Sequence, residues 1–263
     1  MRSRTRQSLV PSAPAECLAH TTSEARAQQR RIMRAMERAP LPPEIAEPAT
    51  SAVLVIDVQN DFVHPDGVRA PSWPDFAHRE MVEHRLASFL DGARTAGARI
   101  VWIAMDQTPE SVSPANARMK RKMYPRGGGS TPDDADLWEA AACRRGTWGA
   151  ELYLAPVPPD LVMTKSRYSA FLRTDLEEQL RALGVTTVLV TGVVMSQCVE
   201  STARDAYQCD FDVVLVEDCA AARTPEERDA TCRSIEQSFG WVRRADELLA
   251  MWAARRAGVP AAR

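Results

Sequence analysis

The sequence predicts an α/β protein with three layers, αβα, packed around a central, mostly parallel sheet. Three observations carry that expectation. Segments of strand and helix character alternate through residues 50–256, the pattern of a layered sheet with right-handed crossovers. The strand runs Ser51–Ile56 and Thr186–Val190 are continuously apolar and β-branched, as in strands covered on both faces. The residues able to do chemistry fall where such strands end, the edge at which open α/β sheets place their ligands.

Taken in order, residues 1–49 form an N-terminal extension. Met1–His20 carries scattered Arg, Ser and Pro without periodicity, the pattern of a mobile tail. Ser23–Ala39 reads as a helix with Ile32, Met33 and Met36 on one stripe, either an arm for a neighbouring subunit or a solvated extension. Pro40, Pro42, Pro43 and Pro48 end it and suggest a stiff linker.

The first strand, Ser51–Ile56, ends at Asp57, an acid at a strand terminus that suits either a site or a turn. A helix is expected over Ala77–Ala96, with Met81, Leu86, Phe89, Leu90 and Ala93 on one side. Ala98–Ala104 is a second strand. Gln107–Ala150 is rich in Pro and Gly and reads as an irregular lid or binding segment, with a basic run at Arg118–Tyr124. Asp160–Thr164 is a third strand leading to Lys165, an unusual residue for a strand end because lysine prefers the open surface.

The next helix is expected over Thr174–Leu183, with a capping box of Thr174 and Glu177 and a closing Gly184. After the fourth strand, Thr186–Val190, comes a tight turn and then helix-forming residues from Cys198 onward. A fifth strand, Phe211–Val216, ends at Glu217-Asp218. Thr224 and Pro225 cap and open another helix that runs to Phe239-Gly240. Trp241-Val242 forms a short edge strand, Ala245–Arg256 a last helix, and residues 257–263 a tail.

Composition excludes several classes. Hydrophobic residues make up 45% and charged residues 26%, as in ordinary globular chains, and a net charge of -2 gives no electrostatic reason for a nucleic-acid partner. No apolar run approaches the roughly 20 residues that span a bilayer, and the N-terminus lacks a signal-peptide core, so a cytoplasmic protein is expected. The six cysteines are dispersed, with no C-x-x-C pair. All four histidines lie at or before His84, none in a metal-binding helix motif, so zinc is not expected and a Cys/His pair would have to reach back into that region. Phosphate-binding glycine motifs are absent, which removes nucleotide cofactors.

Cys198 at a strand-to-helix junction reads as a buried packing thiol or as a nucleophile, since helix N-terminal N–H groups and the helix dipole favour a thiolate and can hold an oxyanion. Asp57, Lys165 and Cys198 all follow parallel strands, so the sheet can bring them to one edge. There Asp57 can accept the thiol proton, and Lys165 can hold both charges and lower the thiol's pKa.

Three separated motifs carry a family resemblance: Val55–Phe62, Thr164–Phe171, and Gly192 through Cys198 to Ala206, with Val214–Cys219 as a fourth. In these the chain resembles the isochorismatase-like cysteine hydrolases, over roughly residues 50 to 245. The resemblance implies a doubly wound fold, a catalytic triad of Asp57, Lys165 and Cys198, and no cofactor. It also implies a non-proline cis peptide at Val194-Met195 that turns the N–H groups of Met195 and Cys198 toward an oxyanion. Pro114–Lys120, Arg167–Ser169 and Phe239–Val242 are most similar to ureidoacrylate and carbamoyl amidohydrolases, with Asn116, Tyr168, Gln59 and Phe62 as substrate contacts. The metal-binding histidines of nicotinamidases have no counterpart in Met105-Asp106-Gln107. The expected protein is a metal-independent amidohydrolase of small amides, ureides or carbamoyl compounds, working through a thioester, and a homo-oligomer (dimer or tetramer). The alternatives are a hydrolase of a vinyl ether or imine-like bond using Asp57 as acid, and a non-catalytic binding module. Met195 is bulky and lies three residues before Cys198, and the sequence leaves open whether it reshapes the pocket.

Overall fold

The structure, a computed structural model, describes residues 40–73, 77–123, 138 and 141–257. The tail, the Ser23–Ala39 helix, the triple glycine after the basic run and the last six residues lie outside them. Six strands form one all-parallel sheet: β1 (Ser51–Ile56), β2 (Arg99–Met105), β3 (Leu161–Lys165), β4 (Thr187–Val193), β5 (Asp212–Ala221) and β6 (Trp241–Arg243). Their order across the sheet is β3-β2-β1-β4-β5-β6. The order reverses between β1 and β4, the switch point where a crevice opens beyond the strand ends.

The helices are α1 (77–96), α2 (Pro114–Met123), α3 (Leu176–Ala182), α4 (195–208), α5 (Pro225–Ser238) and α6 (Ala245–Arg256). Every residue of β1 and β4 is buried, because helices cover both faces. Alternation along each strand still sorts the side chains into two cores. Leu54, Ile56, Ile103, Val190 and Leu215 face one helix layer, while Val53, Val55, Trp102, Leu189 and Val214 face the other. Phe89 and Trp252, stacked with ring centroids 5.9 Å apart, tie α1 to α6 in the second core.

Four expectations need correction. The Pro-rich segment is no free linker: Ile45 and Ala46 are buried, and Trp252 Nε1 donates to Ala46 O at 2.7 Å. Gln107–Ala150 is not wholly irregular, since α2 occupies ten of its residues and carries most of the basic run. The capping box at Thr174 does not form. Arg173 takes a left-handed φ of 61°, the helix cap moves to Asp175, and the Thr174 hydroxyl donates to Ala170 O at 2.5 Å instead. β5 continues past Glu217-Asp218 to Ala221 because a register shift after Val190 lets it keep pairing with the end of β4. Thr224 caps α5 as expected, its side chain accepting from Glu227 N, and Gly184 closes α3 with φ 70°. Among the described residues no helix is long and apolar enough to cross a membrane.

Candidate active site

Asp57 is the first residue after β1. Its backbone adopts a left-handed φ of 54°, a region that Asp tolerates better than most side chains. Its N–H donates to Ile103 O at 2.8 Å, so the turn stays tied to β2 while the carboxylate swings over the sheet edge. Lys165, the last residue of β3, lies two strands away, a gap of about 9–10 Å at normal strand spacing. Its long side chain crosses over Met105 of β2, its register partner, and Nζ meets Asp57 Oδ2 at 2.8 Å. Both side chains are fully buried. A second Nζ donor is held by Arg167 O at 3.1 Å.

Cys198 arrives from the other side, in the first turn of α4 beyond β4. That turn is wide: the N–H of Val199 reaches back to Val194 O at 3.3 Å, five residues away, before the α-helix proper starts at Glu200. Cys198 is buried, and its thiol interacts with both the carboxylate of Asp57 and the ammonium of Lys165. Asp57 Oδ1, also buried, has no completed hydrogen bond. The three residues therefore converge at the sheet edge, drawn from β1, β3 and the turn after β4.

Burial dominates their protonation. It raises Asp57 above the usual carboxylate range, more than the Lys165 charge and the polar interactions with Cys198 and Lys165 lower it. Burial opposes the charge on Lys165, but Asp57 and Cys198 outweigh it and raise the ammonium's pKa. The Cys198 thiol is pushed up, first by burial and then by the Asp57 charge, with Lys165 acting only as an offset. The direction is opposite to the lowering expected from Lys165 and the helix start, with burial as the first cause and the Asp57 charge as the second. A carboxylate raised in this way is a suitable acceptor for the thiol proton.

The cis peptide bond ahead of Cys198 also moves. The non-proline cis bond joins Val193 to Val194, not Val194 to Met195. Met195 already has its place in the first turn of α4, with Val194 as an extended cap (φ -89°, ψ 137°), so the cis bond falls between the last strand residue and the cap. Gly192 precedes it with φ 106°, and a Cβ there would collide with Ile56 O. Met195 is fully buried in the core, in the same cluster as Ile56, Met105 and Cys198.

Of the expected substrate contacts, Asn116 on α2 and Tyr168 after β3 line one cavity of about 480 Å³. Its wall includes Met105, Ser166, Arg167 and Ser201, neighbours of the Asp57–Lys165–Cys198 cluster, and its size suits a small metabolite. Gln59 does not face that cavity. It is fully buried, with Nε2 donating to Met105 O (2.8 Å) and Ala150 O (2.7 Å) and Oε1 accepting from Met105 N (2.7 Å). Its carboxamide fastens β2 and the 148–150 turn to the segment that follows β1. Phe62 is partly buried and packs against both cores.

The isochorismatase domain family matches residues 51–247 of this chain. The chain belongs to the isochorismatase family. A ureidoacrylate amidohydrolase RutB of Methylorubrum extorquens is 33% identical over 196 residues, which cover 73% of this chain and 79% of that relative. A protein of the same name from Caulobacter segnis is 31% identical over 206 residues, 76% of this chain and 84% of the relative. Among solved structures, a cysteine hydrolase from Pseudomonas syringae pv. phaseolicola superposes with a TM-score of 0.63 at 25% identity, covering 82% of this chain and 96% of that one. An N-carbamoylsarcosine amidase from Thermoplasma acidophilum gives 0.57 at 26% identity, covering 75% and 97%.

Within this isochorismatase-family fold, sequence reading missed Ser201 and Asp205 in the cavity wall. The signal was present: they follow Cys198 by three and seven positions and so share its helix face. It also missed Asp61, whose buried carboxylate accepts Val68 N (3.2 Å) and Cys143 N (2.6 Å) and pins the 141–150 segment beside the site. Nothing in the local pattern points to a partner 82 residues away.

Proposed function

We propose that this protein is a cysteine amidohydrolase that cleaves a C–N bond in a small ureido, carbamoyl or linear amide substrate through a thioester. The observation that carries the reading is the buried Lys165–Asp57 pair at 2.8 Å, which interacts electrostatically with the Cys198 thiol, together with a 480 Å³ cavity lined by their chain neighbours Ser166, Arg167 and Ser201. Cys198 Sγ attacks the substrate carbonyl carbon while Asp57 takes the thiol proton. The negative oxygen that forms is held by N–H groups of the first turn of α4. Collapse breaks the C–N bond, and Asp57 returns the proton to the leaving nitrogen, releasing ammonia or an amine. Water then attacks the thioester with Asp57 as base, freeing the acid and regenerating the thiol. A carbamoyl group would leave as carbamate, which decomposes to carbon dioxide and ammonia.

Lys165 remains charged throughout and stabilises the ionised forms of both partners. Arg167 favours an anionic substrate: its Nη1 is held by the neutral carbonyls of Ser111 (2.7 Å) and Ser166 (2.8 Å), which leaves its positive charge for a carboxylate in the cavity. A ureido acid, the substrate class named by the relatives, has both the scissile C–N bond and that carboxylate.

The test is ammonia release from ureido acids, carbamoyl amino acids and simple amides, with intact-mass detection of an acyl adduct on Cys198. Cys198→Ala should lose activity by a factor of at least about 10³ while keeping its fold, the scale seen when a nucleophile is removed. Full activity in that variant would refute the nucleophile and favour a vinyl-ether or imine hydrolase that uses Asp57 as acid.

A further inference from the structure

The turn that carries Cys198 has an external brace that the proposed chemistry does not use. Ser196, two residues before the nucleophile, donates its hydroxyl to Glu227 Oε2 at 3.1 Å. Glu227 sits in the first turn of α5, where its own N–H donates to the capping hydroxyl of Thr224 at 3.2 Å. The same carboxylate accepts from the backbone N–H of Arg223 (3.3 Å) and from its guanidinium (3.1 Å to Oε1). Burial opposes the charge on Glu227, but the Arg223 contacts outweigh it and hold the carboxyl below its ordinary range, so it stays ionised at working pH. Arg223 in turn follows closely on the end of β5, whose Ala221 pairs with Val193 at the end of β4.

These contacts close a loop of structure: end of β4, end of β5, Arg223, Glu227, Ser196, and back to the nucleophile turn. The turn needs such a tie. Sheet register shifts between Val190 and Gly192, Gly192 is left-handed, and the first turn of α4 is wider than an α-turn. Farther along the same helix pair, Thr231 donates to Glu200 Oε2 (2.6 Å) and Arg204 Nη2 to Ser234 Oγ (2.6 Å), one and two turns below. Those lower rungs dock α4 on α5. Of these three rungs only the top one ends on a side chain ahead of Cys198 in the first turn of α4, while the Cys198 carbonyl itself accepts from Thr202 Oγ1 at 2.7 Å.

We infer that Glu227 is a positioning residue for the reaction: through Ser196 it fixes the first turn of α4, and with it the direction of the nucleophile and of the N–H groups that hold the oxyanion. The inference rests on the reading of Cys198 as nucleophile. Because the oxyanion exists only in the transition state, a loosened turn lowers kcat and leaves substrate binding nearly intact.

The experiment compares Glu227→Ala, Glu227→Gln, Ser196→Ala and Thr231→Val with the full-length wild type, measuring kcat, KM and thermal midpoint for each. Glu227→Ala should lower kcat by about tenfold to a hundredfold, the rate equivalent of one charge-assisted hydrogen bond, with KM changed by less than about twofold. Glu227→Gln keeps an acceptor for Ser196 and should recover much of the loss. Ser196→Ala attacks the same contact from the other side and should match Glu227→Ala, which keeps the test open if the glutamate variant folds poorly. Thr231→Val should lower the thermal midpoint without lowering kcat. Wild-type kcat in Glu227→Ala and Ser196→Ala, alongside an inactive Cys198→Ala, overturns the inference alone. Equal kcat losses in Thr231→Val and Glu227→Ala also overturn it, by reducing the contact to general helix docking. An active Cys198→Ala overturns the nucleophile reading and this inference with it.

Discussion

Replacing Lys165 by methionine removes one member of a buried ion pair and keeps most of the side chain's bulk. Asp57 then lies fully buried with no cation beside it. Breaking a buried pair from one side costs about 3–5 kcal/mol, because the remaining charge is uncompensated. For a domain of this size that corresponds to a fall in Tm of roughly 6–20 °C. The cost should depend on pH, and the sign follows from linkage. Asp57 already has a folded-state pKa above its ordinary 3.8, and loss of Lys165 removes the largest effect opposing that rise. A carboxyl with a raised folded pKa contributes stability that is full below the unfolded value and is lost as pH rises through the folded value. Lys165→Met should therefore lie close to wild type near pH 4 and fall progressively below it toward pH 8. Thermal unfolding followed by circular dichroism at several pH values measures this directly. The double variant Asp57→Asn/Lys165→Met, which has no charge to bury, should recover at least half of the lost Tm at pH 8 and lose the pH dependence. An equal deficit at pH 4 and pH 8, or no recovery in the double variant, would show that the loss is one of packing and that the pair is not held as described.

Two further substitutions probe the scaffold around the site. Gly192→Ala combines a left-handed backbone with a Cβ driven into Ile56 O, so it should destabilise by about 4 kcal/mol or more, read as low soluble yield or a chemical-denaturation midpoint far below wild type; near-normal stability would contradict the close approach of β4 to β1. Gln59→Leu strands Met105 N, Met105 O and Ala150 O without their partners and should cost about 3 kcal/mol at roughly 1 kcal/mol or more per orphaned group, with activity falling through kcat as β2 shifts under the Lys165 side chain; a fall in substrate affinity alone would restore Gln59 to the substrate-binding role.

The fold was legible because its strands are buried on both faces, and a continuous run such as Val53-Leu54-Val55-Ile56 has few other uses. The positions of Asp57, Lys165 and Cys198 were legible for a related reason: parallel strands put their ends on one edge, so reactive residues there converge without knowledge of a single distance. Their ionisation was not legible. A helix start favours a thiolate, but Cys198 is buried beside a carboxylate, and both of these nonlocal effects push the thiol the other way. The surroundings of Gln59 are nonlocal too. A polar residue two places after a strand-end acid suits substrate contact, and only the fold shows that two backbone carbonyls and an N–H surround it. The cis bond was displaced by one residue because sequence cannot say whether Val194 closes the strand or caps the helix.

The reach of Lys165 across β2 has a consequence for how this protein comes into being. Asp57 and Lys165 are 108 residues apart and never adjacent in the sheet, so neither can meet the other until β1, β2 and β3 have all found their register. Cys198 joins only when β4 has added to the far side of β1. A chain emerging from the ribosome thus carries three ordinary side chains, among them a thiol with its usual acidity that is open to oxidants and electrophiles. Completing the sheet withdraws that thiol from bulk solvent, so the folded protein is a poorer target for indiscriminate reagents than its own unfolded precursor. Assembly and chemical protection are the same event.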